Sequence, residues 1–205
     1  QLFAKRLELV NQVGEVKHEK GFPIYAPDRE LAMLQARREE AAKAGISLQL
    51  IEDVLRRFMR ESYSNENQFG FKTLNPAINK IVIVGGYGKM GQLFARYLRA
   101  SGYPISILDR NDWDVAERIL TNADVVIVSV PIDHTLETIE RLKPYLTENM
   151  LLADLTSVKR SPLAKMLDVH KGAVVGLHPM FGPDIASMAK QVVVRCDGRF
   201  SERYE

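Results

Sequence analysis

The sequence predicts a multidomain chain in which an all-α region precedes an α/β region with a doubly wound parallel sheet. Over residues 1–68 apolar side chains recur at helical spacing, and no strand-like run interrupts them. Over residues 80–205 short β-branched runs alternate with helical or loop-like stretches, which is typical of parallel strands joined by crossover helices. Residues 69–79 carry Gly70, Asn75 and Pro76 without periodicity, which favours a linker.

Three helices are predicted in the first region, over residues 2–17, 27–45 and 47–64. Gly21 and Pro23 interrupt the first apolar pattern, and Pro27 sits where a helix favours a first-turn proline. Gly45 suits a helix C-terminus, and Ser47 can cap the third helix. A core of about seventy residues is small, so we expect a partner chain or additional residues to complete it.

Six short apolar strands are predicted in the second region. The first is a continuous β-branched run, which is typical of a strand that is buried on both faces of a sheet. The six runs cover residues 81–84, 105–108, 125–130, 150–152, 173–177 and 191–194.

A GxGxxG motif lies between the first predicted strand and the next helix. It consists of Gly86, Gly88 and Gly91, and Asp109 ends the following strand. In this context the motif predicts a Rossmann-type dinucleotide site. Gly86 would allow the tight turn, Gly88 the approach of the pyrophosphate, and Gly91 the close packing of helix on strand. A plain strand–helix turn is the alternative.

Asp109 indicates which dinucleotide the site would bind. Its carboxylate can accept hydrogen bonds from ribose hydroxyls and would repel a 2′-phosphate, which favours NAD over NADP. Arg110 follows directly and points the other way, because an arginine there can bind that phosphate. The start of the helix would offer free N–H groups and a positive dipole to the phosphates, and Tyr87, Lys89 and Met90 of this motif are also predicted to bind the cofactor. As an alternative, Asp109 is a surface turn residue.

Loops after three later strands lie at the edge of the sheet where ligands bind in this fold. Ser129-Val130-Pro131 follows the third strand, Ser157 the fourth, and His178 the fifth, where an imidazole can take a proton near neutral pH. Each has a structural alternative, namely a turn proline, a helix-capping serine and a structural histidine. The other histidines, His18, His134 and His170, are predicted to be surface residues.

Six polar residues on the predicted helices form a second candidate site. They are Arg6 and Lys17 on the first helix, Arg29 and Glu30 at the start of the second, and Ser62 and Glu66 on the third. Arg6 and Lys17 are 11 residues apart, which is three turns, so they share one face with Val10 and Val13. The cations could hold a dianionic ligand between helices. Alternatively, they are solvated and Ser62 lies at a fraying helix end.

Composition excludes several other classes of protein. The 205 residues are 46% apolar and 26% charged with a net charge of +2, which is an ordinary globular balance without the basic excess of a nucleic-acid-binding protein. The single cysteine, Cys196, permits neither an intramolecular disulfide nor a cysteine-based zinc site, and fits a reducing cytoplasm. No apolar run approaches the roughly 20 residues of a membrane span. We therefore expect no metal, no nucleic acid and no membrane partner.

Six strings of residues together carry a resemblance to the bifunctional chorismate mutase–prephenate dehydrogenases of enteric-type bacteria, which make tyrosine. The strings are AKRLELVNQVGEVK, APDRE, IEDVLRRFMRESYSNEN, IVIVGGYGKMG, ADLTSVK and GLHPMFGPD. The chain starts with Gln1 inside a helical pattern, and its last residues read like the opening of a helix, so we expect an excerpt of a longer protein.

The resemblance implies roles for the helical site. It implies that cations hold the carboxylates and ether oxygen of chorismate, at Arg6, Lys17 and Arg29. It places Glu30 opposite the substrate hydroxyl, and Ser62 and Glu66 at the end of the site. It also implies an interlocked homodimer in the full-length protein.

The resemblance implies that the second region is a cytoplasmic, NAD-dependent dehydrogenase. His178 would accept the proton of the prephenate ring hydroxyl, Ser157 would lie near it, and loss of the carboxylate would give 4-hydroxyphenylpyruvate. Two rival functions stay open. One is another Rossmann dehydrogenase, of the β-hydroxyacid type, and the other is a fragment that holds NAD without turnover.

Overall fold

A computed structural model describes residues 1–22, 26–66, 75–185 and 187–204, with the side chains of residues 64–66 outside the description. The chain divides into two compact units. Residues 1–72 and 186–190 form a helical unit, and residues 73–185 and 191–205 form an α/β unit. Most of the predicted linker at 69–79, and Pro23 in the first predicted break, lie outside the described residues.

The helical unit contains α1 (Leu2–Lys20), α2 (Pro27–Lys43) and α3 (Leu48–Glu66), and α3 packs against both other helices. Glycines with positive φ follow the first two helices, Gly21 at 66° and Gly45 at 69°, where an L side chain would be strained. Ser47 caps α3, because its Oγ accepts a hydrogen bond from the backbone N–H of Leu50 at 3.3 Å.

Among the described residues of the helical unit, few apolar side chains are buried. They are Val10, Leu34, Ala41 and Met59. The apolar stripe predicted for α1 is mostly exposed, Val13 included, and Leu2 at its start is 86% exposed. Packing within the described residues of this unit is therefore sparse, and the expectation of an additional packing partner stays a prediction.

The α/β unit is built on one six-stranded sheet with the order β2-β1-β3-β4-β5-β6. Its strands are β1 (Ile81–Val84), β2 (Ile105–Leu108), β3 (Val125–Val128), β4 (Leu151–Asp154), β5 (Ala173–Pro179) and β6 (Val193–Asp197). Strands β1 to β5 are parallel, as predicted. The last strand corrects the prediction, since β6 runs antiparallel to β5. The described residues between these two strands form no crossover helix, which a parallel return requires.

Helices cover both faces of the sheet. They are α4 (Lys89–Ala100), α5 (Ala116–Leu120), α6 (Ile132–Leu142) and α7 (Arg160–Val169). Alternate residues of β1 enter two different cores: Val82 and Val84 pack with residues of α5, α6 and α7, whereas Ile81 and Ile83 pack with α4. Burial on both faces explains why β1 is an unbroken apolar run. None of the helices among the described residues has the length and hydropathy that crossing a bilayer requires.

His170 is buried in the α/β unit, which corrects its prediction as a surface residue. It is 2% exposed, and its Nε2 lies 2.9 Å from the carbonyl oxygen of Met150. Burial lowers the pKa of His170, and the nearby Arg199 charge acts in the same direction, against the hydrogen bond to Met150. The imidazole is therefore neutral in the folded chain over part of the range where an exposed histidine is charged.

The stability of the fold should depend on pH through His170. Its pKa is lowered on folding, so the unfolded chain takes up this proton first. The free energy of unfolding should fall as pH drops below about 6.5 toward the folded pKa. Urea unfolding at pH 7.5 and 5.5 would measure this, with His170→Gln expected to reduce the difference and His134→Gln, at an exposed position, expected to keep it. An unchanged pH dependence in His170→Gln would contradict this assignment.

Candidate functional site

The turn between β1 and α4 is shaped by close backbone approaches at its glycines. Gly85 has a φ of 78°, and a Cβ there would lie 2.6 Å from the carbonyl oxygen of Ser129. A Cβ on Gly91 would lie 2.6 Å from the carbonyl oxygen of Gly85. Because Gly91 has no side chain, the start of α4 can pack directly against the turn. The predicted division of roles needs one correction, because the positive φ falls on Gly85 rather than on Gly86. A Cβ on Gly86 would instead lie 2.8 Å from side-chain carbons of Ile107, so there is no room for a larger residue at this position.

Asp109 points back toward this turn from the end of β2. Its Oδ2 accepts a hydrogen bond from the backbone N–H of Tyr87 at 3.1 Å, and its Oδ1 accepts one from Arg110 N–H at 2.8 Å. Asp112 fixes the same backbone, since its Oδ2 accepts from Asp109 N–H at 2.9 Å. The carboxylate is therefore oriented before any ligand binds, whereas the side chain of Arg110 is exposed.

A cavity of about 640 Å³ opens above the glycine turn. Six of the predicted cofactor-binding residues line it, namely Tyr87, Gly88, Asp109, Ser129, Val130 and Pro131. The other four do not. Gly86 and Lys89 line a separate cavity of about 440 Å³, Met90 packs with the core on the α4 side of the sheet, and Gly91 packs on the turn.

Sequence reasoning missed part of the cavity wall. The additional lining residues include Gly85, Trp113, His134, Glu137, Thr138 and Arg141. His134 is exposed, as predicted, but it stands on the wall of the cavity. The guanidinium of Arg141 lies 4.2 Å from the ring centre of Trp113, which holds both side chains in place. His134, Glu137, Thr138 and Arg141 stand at i, i+3, i+4 and i+7 of α6 and so share one helix face, a signal that the sequence carries once α6 is placed after β3.

The cavity has the features that a dinucleotide requires. Gly88 is the N-cap of α4 and no described side chain caps this helix, so N–H groups of its first turn have no partner within the helix. Such a terminus, with its positive dipole, favours phosphate. The glycines keep side chains out of the turn, and the carboxylate of Asp109 stands beside the turn, where it accepts from Tyr87 N–H. The residues present therefore fit a dinucleotide with free ribose hydroxyls.

A buried ion pair joins the ends of β4 and β5. Asp154 is fully buried, and its Oδ2 lies 2.6 Å from the Nζ of Lys159 and also accepts a hydrogen bond from the hydroxyl of Thr156. Lys159 Nζ also donates to the carbonyl oxygen of Leu177 at 2.8 Å. Sequence reasoning passed over Asp154 and Lys159 as functional residues, although both lie inside the string ADLTSVK. This pair ties the end of β4, which precedes Ser157, to the residue of β5 directly before His178.

His178 lies within β5 rather than after it, which corrects its predicted position. The strand continues to Pro179, and His178 pairs with Val194 of the antiparallel β6. The imidazole is half-buried, and it stands one residue beyond the carbonyl that Lys159 binds. Ser157 is exposed and does not cap α7, whose N-cap is Lys159, so the capping alternative is excluded.

In the helical unit, α1 and α3 meet through Arg6. Its Nη2 donates to the Oγ of Ser62 at 2.7 Å, and its guanidinium lies 5.3 Å from the ring centre of Phe58. Ser62 is 6% exposed and donates in turn to the Phe58 carbonyl oxygen at 2.8 Å. The alternative that Ser62 sits at a fraying helix end is therefore wrong.

Glu30 connects α2 to Tyr63 of α3, the residue that follows Ser62. It is 6% exposed, and it accepts a hydrogen bond from the Tyr63 hydroxyl at 2.9 Å and forms an ion pair with Lys190 Nζ at 2.6 Å. Ser62 and Tyr63 are consecutive residues, so Arg6 and Glu30 contact α3 at nearly the same height along its axis. The remaining predicted residues are less closely placed: Lys17 is half-buried, Arg29 is exposed, and the Glu66 side chain lies outside the described residues.

Family comparisons match both units. The family described as "Chorismate mutase type II" matches residues 1–67, and "Prephenate dehydrogenase, nucleotide-binding domain" matches residues 94–198, more than half of the chain. The second match begins inside α4, after the glycine turn. Fold and cavity thus define a nucleotide-binding domain of the dehydrogenase type, preceded by mutase helices. The chain belongs to the prephenate dehydrogenase family, and the resemblance seen in its sequence is confirmed.

Two relatives are similar along the whole chain. It is 85% identical to the T-protein of Haemophilus influenzae over 205 residues, and 57% identical to the T-protein of Enterobacter agglomerans over 204 residues. In both comparisons the chain is covered completely but only 54% of the relative is, so the chain spans about half the length of these relatives.

Solved structures show the same fold in the α/β unit. A prephenate dehydrogenase from A. aeolicus, in complex with hydroxyphenyl propionate and NAD+, has a TM-score of 0.52 and 22% identity over 62% of this chain and 53% of that one. An arogenate dehydrogenase from Synechocystis has a TM-score of 0.51 and 22% identity over 60% of this chain and 51% of that one. At this identity the likeness shows the fold alone.

Removing one partner of the Asp154–Lys159 pair should destabilise the α/β unit. Lys159→Met leaves the Asp154 carboxylate buried without its cation, and we expect the free energy of unfolding to fall by about 3–5 kcal/mol. Adding Asp154→Asn should recover part of this loss, because no buried charge remains. Lys165→Met is a matched control, since its ion pair with Glu140 is at the surface and its loss should change little. Equal effects of the two lysine substitutions would contradict the structural role of the buried pair.

Proposed function

We propose that this chain contributes two successive steps of tyrosine biosynthesis. The first is the rearrangement of chorismate to prephenate in the helical unit. The second is the NAD-dependent oxidative decarboxylation of prephenate to 4-hydroxyphenylpyruvate, with the α/β unit supplying the nucleotide site. The supporting observation is that one chain holds the Arg6–Ser62 and Glu30 contacts inside a chorismate mutase match and His178 inside a prephenate dehydrogenase match.

The proposed mutase step needs binding and charge stabilisation rather than a nucleophile. The rearrangement is pericyclic, so the residues act by selecting a compact conformer of the dianionic substrate. Arg6 and Lys17 would bind negatively charged oxygens, and donors aimed at the breaking C–O bond would stabilise the charge that develops there. The hydrogen bond from Arg6 to Ser62 supports this role, because it orients the guanidinium before a substrate arrives.

We infer that NAD is the nucleotide. The glycine turn at Gly85–Gly91 would hold the pyrophosphate, and the carboxylate of Asp109 would accept hydrogen bonds from ribose hydroxyls. When bound, NAD supplies the hydride acceptor. The N–H groups of Tyr87 and Arg110 orient the carboxylate of Asp109 in advance. This orientation supports NAD over NADP, because the carboxylate would repel the 2′-phosphate of NADP.

In the proposed dehydrogenase step His178 acts as the general base. Its imidazole would accept the proton from the ring hydroxyl of prephenate as the carbon bearing that hydroxyl is oxidised. Loss of the ring carboxylate as CO2 then makes the ring aromatic, which drives the reaction forward. Ser157, in the loop after β4, would hydrogen-bond the substrate. Lys159 binds both the Asp154 carboxylate and the Leu177 carbonyl oxygen, and these contacts support the arrangement. They fix the end of β4, which leads into the loop of Ser157, against the part of β5 that carries His178.

We also infer that the functional protein is a cytoplasmic homodimer. The exposed apolar side chains of α1 support a second copy, since a helix buries such a stripe against a partner. The sequence has a single cysteine, Cys196, and so lacks the paired cysteines that are typical of secreted proteins, which supports a reducing compartment.

Three measurements on the 205-residue chain test the proposed function. They are the consumption of chorismate, the formation of NADH with prephenate, and the binding of NAD. Chorismate consumption together with NADH formation would support both steps. NADH formation with a small β-hydroxyacid instead of prephenate would favour the rival dehydrogenase class. Binding of NAD with neither reaction would favour a non-catalytic binding fragment.

Asp109 should control the choice of cofactor. Asp109→Asn keeps a hydrogen-bond acceptor but removes the charge that repels a 2′-phosphate, so the preference for NAD over NADP should fall roughly tenfold or more. Dissociation constants for both nucleotides, measured by titration calorimetry, would show the change. Asp114→Asn removes an exposed carboxylate nearby and should leave the preference intact. Equal preference in wild type would identify Arg110 as the selective residue instead.

His178→Asn should remove the general base while keeping the fold and NAD binding. Asparagine can hydrogen-bond but cannot accept a proton at neutral pH, so prephenate turnover should fall by about 10²- to 10⁴-fold. The substrate KM should change less than kcat, because the proton moves in the transition state. The pH profile gives an independent check, since the variant should lose the acid limb of the wild-type profile. A variant that kept its rate and its acid limb would make His178 a structural residue.

A further inference from the structure

We propose that Lys190 is a positioning residue of the chorismate site in the helical unit. Its ammonium would hold and neutralise the carboxylate of Glu30, so that a dianionic substrate can enter beside that carboxylate. The inference rests on the proposed mutase function and goes beyond it, because Lys190 lies far along the sequence from the mutase helices. By its contacts the segment 186–190 nevertheless belongs to the helical unit.

Three contacts hold residues 187–190 against α2 and α3, and one hydrogen bond lies within the segment. The Nζ of Lys190 lies 2.6 Å from Glu30 Oε1 and 5.7 Å from the ring centre of Tyr63. The hydroxyl of Ser187 donates to the Tyr63 carbonyl oxygen at 3.3 Å, and the same Oγ accepts from Ala189 N–H at 3.0 Å. Lys190 has a φ of 65°, which L residues seldom adopt and which persists where surrounding contacts fix it. The contacts of residues 187–190 together therefore hold the Lys190 ammonium against the Glu30 carboxylate.

Lys190 is the closest cation to Glu30 among the described residues. The side chain of Glu30 is only 5% exposed, and a carboxylate in such a position needs a partner. Arg56 lies 3.7 Å away, but it is 46% exposed and holds Glu52 more closely, at 2.8 Å. The Tyr63 hydroxyl donates a hydrogen bond but brings no charge. Neutralisation of Glu30 therefore depends mainly on Lys190.

This neutralisation matters for an anionic substrate. Glu30 and Arg6 contact consecutive residues of α3, which differ in height by only about 1.5 Å along the helix axis, so a dianion bound by Arg6 would lie at the same level of α3 as the Glu30 carboxylate and within reach of its charge. An uncompensated carboxylate would repel that dianion in the ground state and in the transition state alike. Loss of Lys190 should consequently weaken binding more than it slows the bound substrate.

The test is chorismate mutase kinetics on the chain with Lys190→Met, Lys190→Arg, Glu30→Gln and the double variant Glu30→Gln/Lys190→Met. We expect Lys190→Met to raise KM for chorismate roughly tenfold with kcat changed less than about threefold, and Lys190→Arg to restore KM. When Glu30 is already Gln, the further change Lys190→Met should raise KM far less, because no charge is left to neutralise. Lys43→Met, on an exposed residue of α2, is the matched control and should keep the wild-type KM.

Several results would overturn the inference. If Lys190→Met lowered KM, the Lys190 side chain would instead occupy the site and compete with the substrate. An unchanged KM, or the same increase in the presence and absence of Glu30→Gln, would leave the ion pair without a role in binding. Variants that lost activity in proportion to folded protein, without rescue by Lys190→Arg, would make the role purely structural. A wild-type chain inactive toward chorismate would overturn the proposed mutase function itself, and the inference with it.

Discussion

The in-register pairing of the parallel strands is the constraint on which the nucleotide site depends. One row across the sheet contains Leu108, Val84, Val128, Asp154 and Gly176. The pairing continues one residue further. Gly85 N–H donates to the carbonyl oxygen of Leu108, and Ser129 N–H donates to the carbonyl oxygen of Val84, both at 2.8 Å. The chain therefore leaves neighbouring strands at one level. For this reason the glycine turn, Asp109 and the loop at Ser129 surround a single cavity although they are far apart in sequence.

Local signals were sufficient to predict most of the fold. A β-branched run that is buried on both faces, such as β1, has a pattern that no surface element shares, and Ser47 and Gly45 mark helix ends by their own chemistry. The direction of β6 was not predictable in this way. Its apolar run reads like that of a parallel strand, and only the absence of a helix from the described part of the preceding connection distinguishes it.

The candidate sites were predictable where a motif fixes the backbone, and not where a contact joins distant segments. The glycine motif and Asp109 gave the position of the cavity, but the positive φ fell on Gly85 because that residue meets the Ser129 carbonyl. Lys159 lies 18 residues from the Leu177 carbonyl that it binds, and Lys190 lies 160 residues from Glu30. Such pairs have no spacing rule, because their geometry depends on where whole strands and helices end.

The two units hold their functional side chains by different physical means. In the α/β unit the strands around the cavity are almost completely buried, so packing fixes the backbone and Asp154 can be neutralised inside it by Lys159. In the helical unit most apolar side chains of α1 are exposed, and polar contacts centred on Ser62 and Tyr63 place Arg6 and Glu30 instead. The cations of these contacts, Arg6 and Lys190, are themselves partly exposed, so salt can screen their interactions. The geometry of the helical site should therefore be the more sensitive of the two to salt and to the ligand that it binds.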